Sequence, residues 1–236
     1  MVLTNQITIK IKIKIKININ INIKQMNMEL FNNLCQFILD TSTKYKIDET
    51  HNISHSMNVL HYAHSMYETE VRLNPIIAEH VNIIYIAAVL HDMCDKKYMD
   101  EKEGIQNLRN YMRDVLTIEE LDVISKIIST MSYSSVKKNG YPNDLGIYNL
   151  AYHIVREADL LSAYDIERCI IYQVKHENYE YLNSFNEMKQ LFQIRVLKYI
   201  KDQLFITEYS KKKSQELHDN SILKLTELEK NYNLFI

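Results

Sequence analysis

His91 and Asp92 stand side by side at the end of the apolar run Ile83-Ile84-Tyr85-Ile86-Ala87-Ala88-Val89-Leu90. An imidazole and a carboxylate leaving water at the mouth of a buried segment each need a partner, and one divalent cation would partner both. His55 and Asp159 lie next to other apolar-periodic segments and complete a set of two histidines and two carboxylates. Such a set suits an intermediate first-row divalent ion or zinc, and it can leave positions open for water and substrate oxygens. His51 lies four residues before His55, about 40° round a helix from it, so both imidazoles could face one cleft. A histidine there could support a ligand, touch a phosphate or cap the helix. Lys137 and Lys138 precede the Asp159 segment, where a flexible pair of ammoniums could steer a polyanion.

Helices must position these residues. Only 3 Gly and 2 Pro occur among 236 residues, too little turn chemistry for a many-stranded fold. Apolar residues recur at helical spacing in Leu30, Leu34, Phe37, Ile38, and again in Met57, Leu60, Ala63, Tyr67. Asn74-Pro75 reads as a helix start that runs into His91-Asp92, and Thr117 with Glu120 as a capping box opening a helix over about residues 118–131. Ser132 to Gly146 reads as a loop. Helical spacing returns from Ile147 through Ile171, Ser184 and Glu187 form a second apparent capping box, and Leu217 to Leu234 reads as a charged amphipathic helix.

The expected fold is all-α, a single-domain helical bundle over residues 28–208 followed by a C-terminal amphipathic helix in 209–236. Residues 1–27 hold a low-complexity tract in which Ile alternates with Lys or Asn. That tract is expected to be disordered or an isolated strand pair, and it carries no part of the functional argument.

A formal net charge of -2 and a pI near 6.5 supply no basic footprint, so no duplex nucleic acid is expected as a partner. Cys35, Cys94 and Cys169 are odd in number and widely spaced, which argues against a disulfide framework and for a reducing compartment. The longest apolar run is too short to span a bilayer, and the expectation is a soluble, cytoplasmic chain with no membrane partner. Self-association as a homo-oligomer stays open.

Ser54-His55-Ser56-Met57-Asn58-Val59, then Leu90-His91-Asp92, then Ala158-Asp159-Leu160-Leu161 resembles the H…HD…D signature of the HD-domain metal-dependent phosphohydrolase superfamily, over about residues 47–178. The resemblance implies an HD-type helical bundle in which His55, His91, Asp92 and Asp159 hold one divalent ion (Mn, Mg, Co, Ni or Zn), with Asp92 adjoining the metal-bound water. It implies hydrolysis of a phosphate ester or anhydride, most often of a nucleotide, by a phosphomonoesterase or a pyrophosphohydrolase. In the related alarmone hydrolases an acidic residue at the place of Asp95 helps position the attacking water, which gives Asp95 a candidate catalytic role. Lys96 departs from the acidic pair found there and could instead meet phosphate oxygens. Tyr164-Asp165 departs from the Ile-Gly common in similar chains.

Two other classes compete with this one. A non-catalytic scaffold would keep the helices without turnover. A di-iron oxygenase would need extra histidines between Asp92 and Asp159, where only His153 is present.

Overall fold

The computed structural model describes residues 28–176 and 181–232, and the Ile-Lys/Asn tract of residues 1–27 lies outside them. The described residues form an all-α bundle of ten α-helices with no strand. They are α1 (Met28–Tyr45), α2 (Ile53–Leu73), α3 (Val81–Leu90), α4 (Glu101–Met112), α5 (Ile118–Thr130), α6 (Tyr133–Asn139), α7 (Asn149–Ser162), α8 (Ile166–His176), α9 (Tyr181–Ile194) and α10 (Glu208–Tyr232). Short 3-10 turns at Glu49–His51, Pro75–His80, Gly146–Tyr148 and Val196–Lys198 link some of them.

Helix α3 is the axis of the bundle. Val81, Ile83, Ile84 and Ile86–Leu90 are all buried, because α3 packs against α1, α2, α5 and α7. A helix that is apolar all round belongs in a core. The amphipathic helices around it turn one stripe inward, as α1 does with Leu30, Leu34, Phe37, Ile38 and Thr41. Helix α7 is buried on most faces, being covered by α2, α3 and α10.

Glu157, fully buried on α7, ties the C-terminal segment to the bundle. Its carboxylate accepts from the backbone N–H groups of Ile206 and Thr207, each at 3.0 Å, from Thr207 Oγ1 at 2.9 Å, and from Ser210 Oγ. Arg156 Nη2 donates to the same carboxylate at 3.1 Å. These bonds fix the segment that leads into α10, whose own first-turn N–H groups of Glu208 and Ser210 go to Glu70 Oε1 and Thr207 Oγ1.

His153, one turn earlier on α7, is buried, and its Nδ1 has no hydrogen-bond partner. Burial, reinforced by the Arg156 charge, pushes its pKa down to about 4. The unfolded chain takes up this proton near pH 6.5 while the folded chain refuses it until about pH 4. Stability therefore falls as pH drops through that window, by roughly 2–3 kcal/mol. In His153→Gln this share of the acid-induced loss is expected to vanish, which urea unfolding at pH 7 and pH 4.5 measures. An equal loss in both proteins rejects the assignment.

Several local expectations need correction. The stretch Ser132 to Gly146, read as a loop, contains α6, with Ser132 Oγ accepting from Ser135 N–H at 3.2 Å. Gly140 ends α6 at φ 76°, a left-handed conformation suited to glycine. Asn74-Pro75 opens a 3-10 turn rather than α3, and Asn74 makes no side-chain cap. The helical spacing from Ile147 to Ile171 is broken between α7 and α8. There the Asp165 carboxylate caps α8 by accepting from Arg168 N–H at 3.0 Å. Ser184 and Glu187 fall inside α9, so they do not cap it. The C-terminal helix begins at Glu208, next to the expected boundary at 209, and its apolar pattern from Leu217 marks only its later part.

Candidate metal centre

Three helices converge on one point. Asn52 caps α2 by accepting from Ser54 N–H at 3.1 Å, which sets His55 in the first turn. His91 and Asp92 follow the last residue of α3, where His91 keeps helical backbone angles. Asp159 lies near the C-terminal end of α7. His55 Nε2 and His91 Nε2 are 3.1 Å apart. Asp92 Oδ2 is 3.2 Å from the first and 3.3 Å from the second, and Asp159 Oδ1 is 3.5 and 3.7 Å from them. His55, His91 and Asp159 each offer a ligand atom within 4.8 Å of the others, a group that could hold a metal ion.

The donor set fits a cation on two grounds. Asp92 Oδ2 is buried and, despite its nearness to both imidazoles, makes a hydrogen bond to neither, an expensive state for an ionised oxygen. His91 Nδ1 lies 2.8 Å from the carbonyl of Ala88, which keeps a proton on Nδ1 and turns Nε2 toward the cluster, where an ion would take the place of the proton that the neighbouring carboxylates favour.

The charges agree with this fit. Burial opposes the ionisation of Asp92 and Asp159, but the neighbouring imidazoles outweigh it and hold both carboxyls well below the usual range. Burial likewise opposes a charge on His91. The charges of Asp92 and Asp159 prevail and raise its pKa to about 9. The cluster carries an excess of negative charge that draws in a positive one. Burial pushes the Cys94 thiol up to about 12 and Cys169 up to about 11.

The cluster forms the floor of a cavity of about 480 Å³. The two imidazoles are almost wholly buried, whereas the Asp159 side chain keeps 28% of its surface exposed toward the opening. His51 also lines the cavity, although it belongs to the 3-10 turn before α2 rather than to the helix that carries His55. Its Nδ1 faces Asp48 at 3.3 Å and Tyr98 Oη at 3.0 Å. The Asp48 carboxyl is shielded by burial, yet its bonds to His51, Thr50 and Tyr98 hold it far below the usual range. A capping role for His51 is not found, since Asp48 and Asn52 do the capping.

Asp95 and Lys96 line the same cavity, in the turn after Asp92. Asp95 Oδ1 accepts from Lys97 N–H at 2.9 Å. That turn is clamped against α4 at Gly104, where a Cβ would come within 2.8 Å of Met99 Sδ and 3.0 Å of Cys94 Cα. Lys137 and Lys138 ride on α6 outside the cavity lining, Lys137 with its Nζ 5.8 Å from the centre of the Tyr133 ring. Arg156 is fully buried and engaged with Glu157 and the Leu204 carbonyl.

The cavity also holds cations that the sequence reading did not single out. Arg168 on α8 donates from Nη1 to the Thr50 carbonyl at 3.1 Å and to His55 Nδ1 at 2.7 Å. Arg195, after α9, lies 4.5 Å over the Tyr133 ring and donates from Nε to Tyr199 Oη at 3.0 Å. Among the described residues neither guanidinium has a carboxylate within ion-pair distance. For Arg195 the sequence held a usable signal, because no acidic residue lies within four positions of it. Arg168 was masked by Asp165, three residues before it, which suggests an ordinary helical ion pair.

No family model matches the chain, and no curated protein or solved structure matches it. Among the described residues no helix is long and apolar enough to cross a membrane.

Proposed function

We propose that this protein is a metal-dependent phosphohydrolase that cuts a phosphate ester or anhydride, with a nucleotide as the substrate class. The observation that carries the reading is the meeting of His55, His91, Asp92 and Asp159 on the floor of a cavity that also presents Arg168, Arg195, Lys96 and Lys97. The order and spacing of the four ligands, which resemble the HD-domain phosphohydrolases, support the same reading. A divalent ion held there would activate water for attack and neutralise charge on phosphoryl oxygens.

The protein's own groups do the rest. The ligands' burial excludes bulk water and strengthens every charge interaction within the site. Asp95, which lines the cavity and accepts from Lys97 N–H, would orient or deprotonate an attacking water. Lys96 and the two arginines neutralise the anionic substrate, where a guanidinium can grip two phosphate oxygens at once. Tyr172 and Tyr133 line the same cavity, with Lys97 Nζ 5.5 Å above the first ring and Arg195 4.5 Å over the second.

The test is a release assay over a nucleotide panel with Mn, Mg, Co and Ni. Phosphate or pyrophosphate release that a chelator abolishes and added ion restores is expected, and the product identifies the bond cut. No release from any substrate, in protein that binds an ion, rejects the enzyme in favour of a scaffold.

A further inference from the structure

A histidine that ligates a metal gives one ring nitrogen to the ion and fixes the other through a hydrogen bond that sets the tautomer. His91 obeys this rule: its Nδ1 faces a carbonyl, which only accepts. His55 does not. Its Nδ1 lies 2.7 Å from Arg168 Nη1, and a guanidinium only donates. Nδ1 must therefore be the acceptor, and the neutral ring carries its proton on Nε2, the nitrogen that an ion needs bare.

We propose that Arg168 gates metal loading and is itself converted by it into the anion-binding arm of the site. An ion taking the Nε2 lone pair of His55 requires the ring's proton to leave Nε2 and appear on Nδ1, with no net gain or loss of protons. Two donors then face each other at Nδ1, and the guanidinium is expelled. The Thr50 carbonyl, bonded to the same Nη1 atom, is freed beside Nδ1 as an acceptor. Arg168 lines the cavity, and its guanidinium, bound to no carboxylate as it stands, is then free to meet an incoming phosphoryl group. Ion and anion thus bind in order and assist one another, since each favours the released position of the same side chain.

The inference rests on the metal-centre reading, but the two fail differently. Calorimetric titration of the full chain with Mn, and of the Mn-loaded protein with inorganic phosphate, is compared across the wild type, Arg168→Ala and Arg168→Met. Both variants are expected to bind Mn about five- to tenfold more tightly, because a charge-assisted bond no longer opposes loading, and phosphate at least about tenfold more weakly. A merely structural arginine would weaken both.

Mn affinity that is unchanged or reduced in variants of native helical content overturns the gate while leaving the metal centre intact. Unchanged phosphate affinity overturns the arm. Absence of Mn binding in wild type and variants alike sinks the metal centre, and the gate with it. Should both variants fail to fold, the wild type alone decides: on adding Zn, nitrogen-15 spectra of His55 are expected to show its proton move from Nε2 to Nδ1, and a proton that stays on Nε2 refutes the proposal.

Discussion

Asp92→Ala is expected to abolish hydrolysis and to weaken divalent-ion binding by more than about a hundredfold, beyond what losing an outer hydrogen-bond partner of a ligand costs. The side chain contributes a buried oxygen that no hydrogen bond satisfies, so its removal takes away charge that only a cation could repay. The ion-free variant is expected to keep its helical circular dichroism but to lose stability at neutral pH, because the Asp92 carboxylate and the His91 imidazole hold one another's charge. Calorimetry with Mn and the release assay read the first effect, and thermal unfolding in chelator reads the second. Retained turnover would remove Asp92 from the ligand set.

The second large effect is on stability and lies away from the cavity. Glu157→Ala is expected to cost about 3–5 kcal/mol, the range for breaking a buried charge pair by removing one partner. The loss strands Arg156, whose Nε already lacks a partner, and it leaves the N–H groups of Ile206 and Thr207 without acceptors. Glu157→Gln tests the chemistry at constant shape. Its amide turns one acceptor into a donor against Thr207 and Ser210, so an intermediate loss is expected. Urea unfolding measures both, and a cost below about 1 kcal/mol for Glu157→Ala, the level of an exposed pair, would show that the network is dispensable.

The bundle was legible because its helices follow local rules, and the four converging residues because their types and order form a pattern, not because any spacing rule brings them together. The apolar run of α3 announces a buried helix, and Thr117 with Glu120 forms the capping box in both directions. Helix α6 was not legible, since it buries no residue and so leaves no apolar periodicity to read. The start of α10 at Glu208 falls beside the expected 209, although its first turn is tied by Ser210 Oγ to Glu157 on another helix rather than by an apolar pattern of its own. His51 was placed on the wrong element because Asn52 starts a new helix between it and His55. Arg168 and Arg195 depend on tertiary approach. Arg168 reaches His55 across 113 residues of sequence, a relation that no spacing rule carries.

Two of the candidate ligands extend from the end of α3, the segment enclosed on every side. Backbone amides in such a segment exchange with solvent only when the whole domain opens, whereas outlying helices can detach at smaller cost. His91 and Asp92 therefore keep their station through partial openings that would carry Arg195 away with the periphery. The floor of the pocket is set where the core ends, whereas Arg168 and Arg195 stand on and just after the outlying helices α8 and α9.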